Sequence, residues 1–345
     1  MTENNNILKI RLNECTYGQI LAGDVLNDKG HILVGKNTIL NQYIIDWLLD
    51  KGISMVMIYQ PYSGNHESMV RDNYHDMILN TKEVLQELTS GKPLNYKKVF
   101  TISKQIYTFI NENENIIKCI MDLKKTDEYT HTHSVNTAIY CMLIAKWLML
   151  SEDEINLSIQ SGLLHDLGKS KIPTKILNKR GRLTEEEYNI MKQHPVYGYE
   201  MVKDNDEIAY DIKMAILHHH ERVDGSGYPN QFTADEMNLY AKIVALADVF
   251  DAMTSDRIYK KRSTPFEVFD MLLTEGIRLF DTKILNVLLN NLTVYLIGAN
   301  VLLSDGNKGE IVFIPMHSVT NPIIRVSTDY LDLSKDTGIQ ILSMI

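Results

Sequence analysis

The chain has 345 residues, and at a soft prior of about 150 residues per domain that length holds two or three folding units. Hydrophobic residues make up 44% and charged residues 23%, with no segment dominated by proline, glycine or repeats, which excludes wholesale disorder, fibres and disulfide miniproteins. Lys+Arg 35 against Asp+Glu 44 leave a formal charge of −9, which argues against coating nucleic acid or anionic membrane by bulk charge, so an anionic ligand needs a local device.

The polar start, residues 1–6, lacks the basic and apolar regions of a signal peptide, and the longest apolar stretch, 138–150, is broken by Lys146. Cys15, Cys119 and Cys141 fit no CxxC spacing, so neither a zinc ribbon nor a disulfide framework is expected. These features read as a soluble, cytoplasmic protein. Residues 1–60 mix short β-like runs (7–12, 31–34, 54–59) with one helical stretch, 40–49, and form a small N-terminal α+β module. A turn-rich joint at 60–65 leads into connecting helices over 61–123, with helical periodicity to 88 and again over 96–123. The segment 124–292 is overwhelmingly helical. Beyond it, 293–345 breaks into β-rich runs at 294–303, 310–315, 323–326 and 339–344, a small C-terminal module.

Seven of the eleven histidines (131, 133, 165, 194, 218, 219 and 220) fall within ninety residues. In the helix expected over 206–220, Ile208, Ala209, Ile212, Ala215 and Ile216 form the buried stripe. At about 100° per residue, His219 and His220 flank that stripe, while His218 points away and is read as solvated. Two imidazoles entering a core need a partner, and a transition metal is the economical one. His165 and Asp166 lie inside an apolar run and converge only on something at their shared edge, which suits a cation. The apolar helix expected over 239–253 carries Asp248 and Asp251 on one face, and spacing alone leaves open which of them is a ligand. His194 ends a helix that starts with the capping box Thr184-Glu185-Glu186-Glu187, and Pro195 after it favours an extended residue at 194. His133 opens a nearly all-apolar helix; His131, on another face, is expected to be exposed.

Ordered motifs connect these residues: His133-Ser134, His165-Asp166-Leu167-Gly168-Lys169, Ile172-Pro173, His219-His220-Glu221-Arg222, then Asp224-Gly225-Ser226-Gly227-Tyr228-Pro229 and Ala247-Asp248 through Asp256-Arg257. Over about residues 95–290 the sequence resembles the HD-GYP family of the HD phosphohydrolase superfamily. The resemblance implies a mainly α fold, a helical HD-type metallohydrolase core between the two small modules. It implies a metal-dependent phosphodiesterase of bacterial second-messenger signalling, hydrolysing cyclic di-GMP to pGpG and/or GMP. It implies His133, His165, Asp166, His194, His219, His220 and Asp248 as metal ligands, Asp166 bridging two ions, and so selects Asp248 over Asp251. Some relatives hold a third metal through a glutamate four residues before the first ligand histidine. Tyr129 stands at that position, with Glu128 beside it, so two ions are expected.

Two cations about 3.5–4 Å apart neutralise the phosphate and bring a bridging water towards deprotonation, so a metal-bridging hydroxide is the expected nucleophile. The mixed imidazole and carboxylate set suits iron or manganese, and accepts zinc. Asp166 and Lys169 are the catalytic candidates, Lys169 also neutralising a phosphate oxygen. Tyr228 offers a ring to stack on a guanine, and Arg257 and Lys260 match family positions contacting phosphate or guanine. Expected partners are cyclic di-GMP and a homodimer or signalling partner through the flanking modules, with no polymeric nucleic acid and no membrane insertion. The competing readings are a cyclic dinucleotide receptor with little turnover and a phosphodiesterase for another cyclic dinucleotide.

Overall fold

The computed structural model describes residues 7–16, 18–36, 38–59, 66–112, 129–179, 181–255, 264–315, 318–335 and 338–345, with the backbone alone at 66–71, 112 and 129–131. The chain forms two compact units, Met1–Asn65 with Leu289–Ile345, and His66–Leu288.

In the first unit, strands β1 (Ile7–Arg11), β2 (Val25–Leu26) and β3 (Ile32–Val34) precede helix α1 (Gln42–Asp50) and β4 (Met55–Tyr59). The Asn41 side chain caps α1 by accepting the Ile44 N–H at 2.9 Å. Strands β1 and β4 pair antiparallel, as do β2 and β3. The C-terminal segment contributes β5 (Asn300–Leu303), β6 (Lys308–Phe313), β7 (Ile323–Val326), β8 (Asp329–Asp332) and β9 (Ile341–Met344), in the antiparallel order β8-β7-β6-β5-β9. The two ends of the chain share one core. Ile297 is buried with Leu12, Leu21, Leu40, Ile44 and Leu48, and the Asn41 amide donates to the Val312 carbonyl at 2.8 Å. The strand expected over 294–303 starts only at Asn300, because Thr293–Leu296 coils into a 3-10 turn. The two-residue β2 and the polar β8, Asp-Tyr-Leu-Asp, carry too little alternation to read from sequence.

The second unit is helical: α2 (His66–Thr89), α3 (Tyr96–Glu112), α4 (Tyr129–Trp147), α5 (Glu152–Leu164), α6 (Thr174–Leu177), α7 (Glu185–Met191), α8 (His194–Val202), α9 (Tyr210–His218), α10 (Leu239–Thr254) and α11 (Pro265–Met271). A helix α12 (Thr282–Leu292) spans the boundary between the units. Helix starts in this unit are chemically marked: Ser151 with Glu154, Thr184 with Glu187 and Thr264 with Glu267 form capping boxes, and Asn238 caps α10. Helices α4 and α10 are buried on nearly every face, which is why their apolar residues show no single stripe. Helix α9 begins at Tyr210 rather than at 206, since the Asn205 side chain accepts the Glu207 N–H in a turn that competes with helix. Among the described residues, no helix is long and apolar enough to cross a membrane.

Candidate metal centre

The seven residues implied as ligands come from five places in the helical unit and meet in one cluster. His133 lies one turn into α4, not at its start, and its Nδ1 is 2.7 Å from Asp251 Oδ2. His165 caps the C-terminus of α5 and its Nδ1 faces the Gly162 carbonyl at 2.7 Å. His194 is the first helical residue of α8 rather than an extended one, because Pro195 fits the first turn, where its missing N–H costs nothing. Its Nδ1 faces the Met191 carbonyl at 2.8 Å. His219 caps α9 with Nδ1 2.8 Å from the Ile216 carbonyl. A carbonyl only accepts, so in these three rings Nδ1 carries the proton and Nε2 presents a lone pair.

Those lone pairs converge. Nε2 of His194 lies 3.2 Å from Nε2 of His219, an arrangement of two acceptors that requires a cation or proton between them. Asp166 stands between two histidine groups: Oδ2 is 3.3 Å from His165 Nε2 and 3.6 Å from His133 Nε2, while Oδ1 is 3.3 Å from His194 Nε2 and 3.9 Å from His219 Nε2. Asp248 Oδ1 adds a contact of 3.0 Å to His133 Nε2. Asp251, one turn further along α10, instead holds the far side of the His133 ring and receives the Ser255 hydroxyl at 3.3 Å. The two aspartates left equivalent by their spacing therefore face opposite edges of one imidazole.

Two buried atoms, His165 Nε2 and Asp166 Oδ1, have no hydrogen-bond partner. Leaving such atoms bare is costly, and both point into the cluster. Ligand atoms of His194, His219 and His220 lie within 4.8 Å of one another, as do those of His133, His165 and Asp166. Burial holds His219 and His220 well below the ordinary imidazole value, and so unprotonated. Burial alone would raise Asp166 and Asp248, but the surrounding imidazoles, with Lys169 beside Asp166, outweigh it and keep both ionised. Neutral imidazoles, carboxylates and orphaned lone pairs together fit a divalent metal.

Packing fixes the geometry. A Cβ on Gly168 would run into the His194 carbonyl oxygen and stand 2.9 Å from Gly198 Cα, so only glycine lets the 3-10 turn Leu167–Lys171 lie against α8. Lys169 Nζ sits 2.5 Å from Asp166 Oδ2, at the edge of the cluster. Tyr228 stacks on His220, with centroids 4.7 Å apart and planes at 25°, so one face of its ring is taken; burial pushes its phenol upward. Glu221 is fully buried and accepts the N–H groups of Asn230 at 2.6 Å and Phe232 at 3.0 Å. Asp251 and Glu221 are the two acids to which sequence reasoning gives no structural role. The available signal was an acid in each case inside an apolar or histidine-rich run.

His218 stays out of the cluster, but the expectation that it is solvated is corrected: the segment after α9 folds back, Phe232 lies 4.8 Å from its ring, and His218 is 5% exposed. Arg257, Lys260 and Glu128, and the side chains of Tyr129 and His131, fall outside the described residues.

A helical core that gathers histidines and aspartates at helix ends defines an HD domain, and residues 115–284 match the family model described as HD domain. The chain is 31% identical over 243 residues to cyclic di-GMP phosphodiesterase PA4108 of Pseudomonas aeruginosa, covering 70% of this chain and 58% of that protein. It is 36% identical over 163 residues to 3'3'-cGAMP-specific phosphodiesterase 2 of Vibrio cholerae, covering 47% of this chain and 31% of that one. The fold is similar to that of Bd1817, an HDG"Y"P protein from Bdellovibrio bacteriovorus, with a TM-score of 0.56 at 18% identity, covering 82% of this chain and 98% of that one. The chain belongs to the HD-GYP family. It spans less than two thirds of the length of either curated relative.

Proposed function

We propose that the chain is a metal-dependent phosphodiesterase acting on cyclic di-GMP, with its catalytic core in residues 124–292. The observation that carries this reading is Asp166, which offers one carboxylate oxygen to each of two histidine groups around orphaned buried atoms. That arrangement suits two divalent transition-metal ions, iron or manganese first and zinc as an alternative, with Asp166 shared and His133, His165, His194, His219, His220 and Asp248 completing the set. When bound, such ions supply Lewis acidity towards phosphate oxygens and lower the pKa of a coordinated water towards neutrality. The chain's own groups do the rest. Nδ1 tethers at Gly162, Met191 and Ile216 aim the three imidazoles before any ligand arrives. Burial of His165, His194 and His219 keeps bulk water from competing for their lone pairs. Lys169 brings an ammonium beside Asp166, where it can meet a non-bridging phosphate oxygen, and the free face of Tyr228 is available to a guanine. Arg257 and Lys260 complete the proposed substrate contacts.

The test is to incubate metal-loaded protein with cyclic di-GMP and resolve the products. Linear pGpG or GMP is the expected result, and no product with iron, manganese or zinc would overturn the reading. Asp166→Ala separates enzyme from receptor: it abolishes turnover, whereas a receptor would keep its output wherever nucleotide binding survives. Because one relative is named for 3'3'-cGAMP, kinetics on both dinucleotides side by side decide the substrate.

A further inference from the structure

Four of the five imidazoles in the cluster are oriented by a hydrogen bond at Nδ1: His133 by Asp251, and His165, His194 and His219 by backbone carbonyls. His220 differs. Among the described residues nothing hydrogen-bonds to its ring nitrogens, and its ring is held by the parallel ring of Tyr228 at 4.7 Å. A stack restrains the ring plane only as well as the stacking partner is itself held. Tyr228 is held from both sides. Its N–H donates to the His220 carbonyl at 3.2 Å, and Gly227 packs so tightly on the chain at 220–222 that a Cβ there would stand 2.5 Å from that carbonyl oxygen. Beyond Tyr228, the segment is drawn back by Glu221, whose Oε1 takes the Asn230 N–H and Oε2 the Phe232 N–H. Each oxygen of this fully buried carboxylate has its own amide, and charge-assisted bonds of this kind are about twice as strong as neutral ones.

We propose that Glu221 is a positioning residue of the metal centre: by clasping the amides of residues 230 and 232 it presses Tyr228 onto His220 and so sets the direction of the His220 lone pair. Glu221 touches neither metal nor substrate; it does for His220, through a ring, what Asp251 does for His133 directly. The inference rests on the metal-centre reading and not on the identity of the substrate.

In Glu221→Gln the amide group can accept only one of the two N–H donors and turns its own N–H₂ towards the other, so the clasp opens. Loss of a group that orients a ligand costs about 10- to 100-fold in metal affinity or turnover. The experiment is cobalt(II) titration of the metal-free full chain, read by the visible ligand-field spectrum, with kcat for bis(p-nitrophenyl) phosphate measured in parallel. Glu221→Gln and Tyr228→Leu are expected to show the same altered spectrum and a loss of affinity of that size, and the double variant is expected to be no worse than either. Tyr228→Phe, which keeps the ring, should keep the wild-type spectrum. A wild-type spectrum in Glu221→Gln, additive losses in the double variant, or a Tyr228→Leu spectrum like that of Tyr228→Phe would each overturn the proposal. If Glu221→Gln does not fold, the Leu and Phe variants at 228 still decide it. Failure of wild-type protein to cleave cyclic di-GMP would count against the substrate alone, because cobalt binding is read without it.

Discussion

Replacing Gly168 with alanine tests whether the contact between the 3-10 turn and α8 sets the centre. The added methyl would overlap the His194 carbonyl oxygen and the Gly198 nitrogen and stand 2.9 Å from Gly198 Cα. Carbon atoms in contact rest about 3.5–4.0 Å apart, so the turn and α8 must separate by roughly 0.6–1 Å, and no flexible side chain lies between to absorb it. The moving backbone is that of His194, whose Nε2 is 3.3 Å from Asp166 Oδ1, and Asp166 opens the turn on the other side. Overpacking of this kind costs about 1–3 kcal/mol of stability. A misplacement of about 1 Å in a catalytic constellation costs on the order of 10²-fold in rate. Gly168→Ala is therefore expected to lower the urea midpoint modestly and kcat for bis(p-nitrophenyl) phosphate by about two orders of magnitude. Gly198→Ala is the companion: its methyl meets the Ile216 Cγ2 side-chain atom at 2.8 Å, which can give way, so the loss should be smaller. Wild-type turnover in Gly168→Ala, or a larger loss at Gly198, would refute the reasoning.

Asp251→Asn keeps an acceptor for His133 but removes its charge; metal stoichiometry should hold while affinity falls by about 10- to 100-fold, measured by competition with a chelator. In the metal-free protein, burial pushes the His133 imidazole down, but Asp248 and Asp251 outweigh it and raise it to about 9. A metal needs the unprotonated ring, so loading at neutral pH should release a proton, visible by calorimetry in buffers of different ionisation enthalpy, and affinity should climb as pH rises towards about 9. The folding linkage has the opposite sign: the stability that His133 lends the metal-free chain is complete below the ordinary value of 6.5 and disappears as pH passes about 9, which urea titrations across that window would detect. His218→Leu should keep the full metal complement and His219→Leu should lose it, as elemental analysis of both would show, since His218 packs on Phe232 and only His219 faces the cluster.

Histidines embedded in apolar helices were legible as a cluster because an imidazole inside an apolar core demands a polar or metal partner, and the capping boxes at Thr184 and Ser151 fixed helix starts through bonds spanning three residues. What failed to show was tertiary. The burial of His218 depends on Phe232 returning over α9, fourteen residues later in the chain. Asp248 and Asp251 share a helix face, and only the ring of His133 between them tells them apart. The joining of both chain ends into one unit rests on contacts such as Asn41 with Val312, across 271 residues, for which local patterning has no term. Glu221 was visible as a letter in a motif, but its job lies in two backbone amides that carry no sequence signature.

The carbonyls of Gly162, Met191 and Ile216, which tether three imidazoles, belong to the last turns of α5, α7 and α9. Peptide dipoles leave the C-terminal end of a helix negative, so three such ends surround the cluster, each favouring a nearby cation by about 0.3–1 kcal/mol and disfavouring an anion similarly. Phosphate sites are commonly built on the opposite, N-terminal end. This electrostatic frame imposes an order of events: an anionic diester approaching the metal-free chain meets repulsion, and the same diester approaching the loaded chain meets a field whose sign has been reversed. Nucleotide affinity in this protein is thus conditional on metal supply, and a cell short of the metal would lose recognition of the nucleotide together with its hydrolysis.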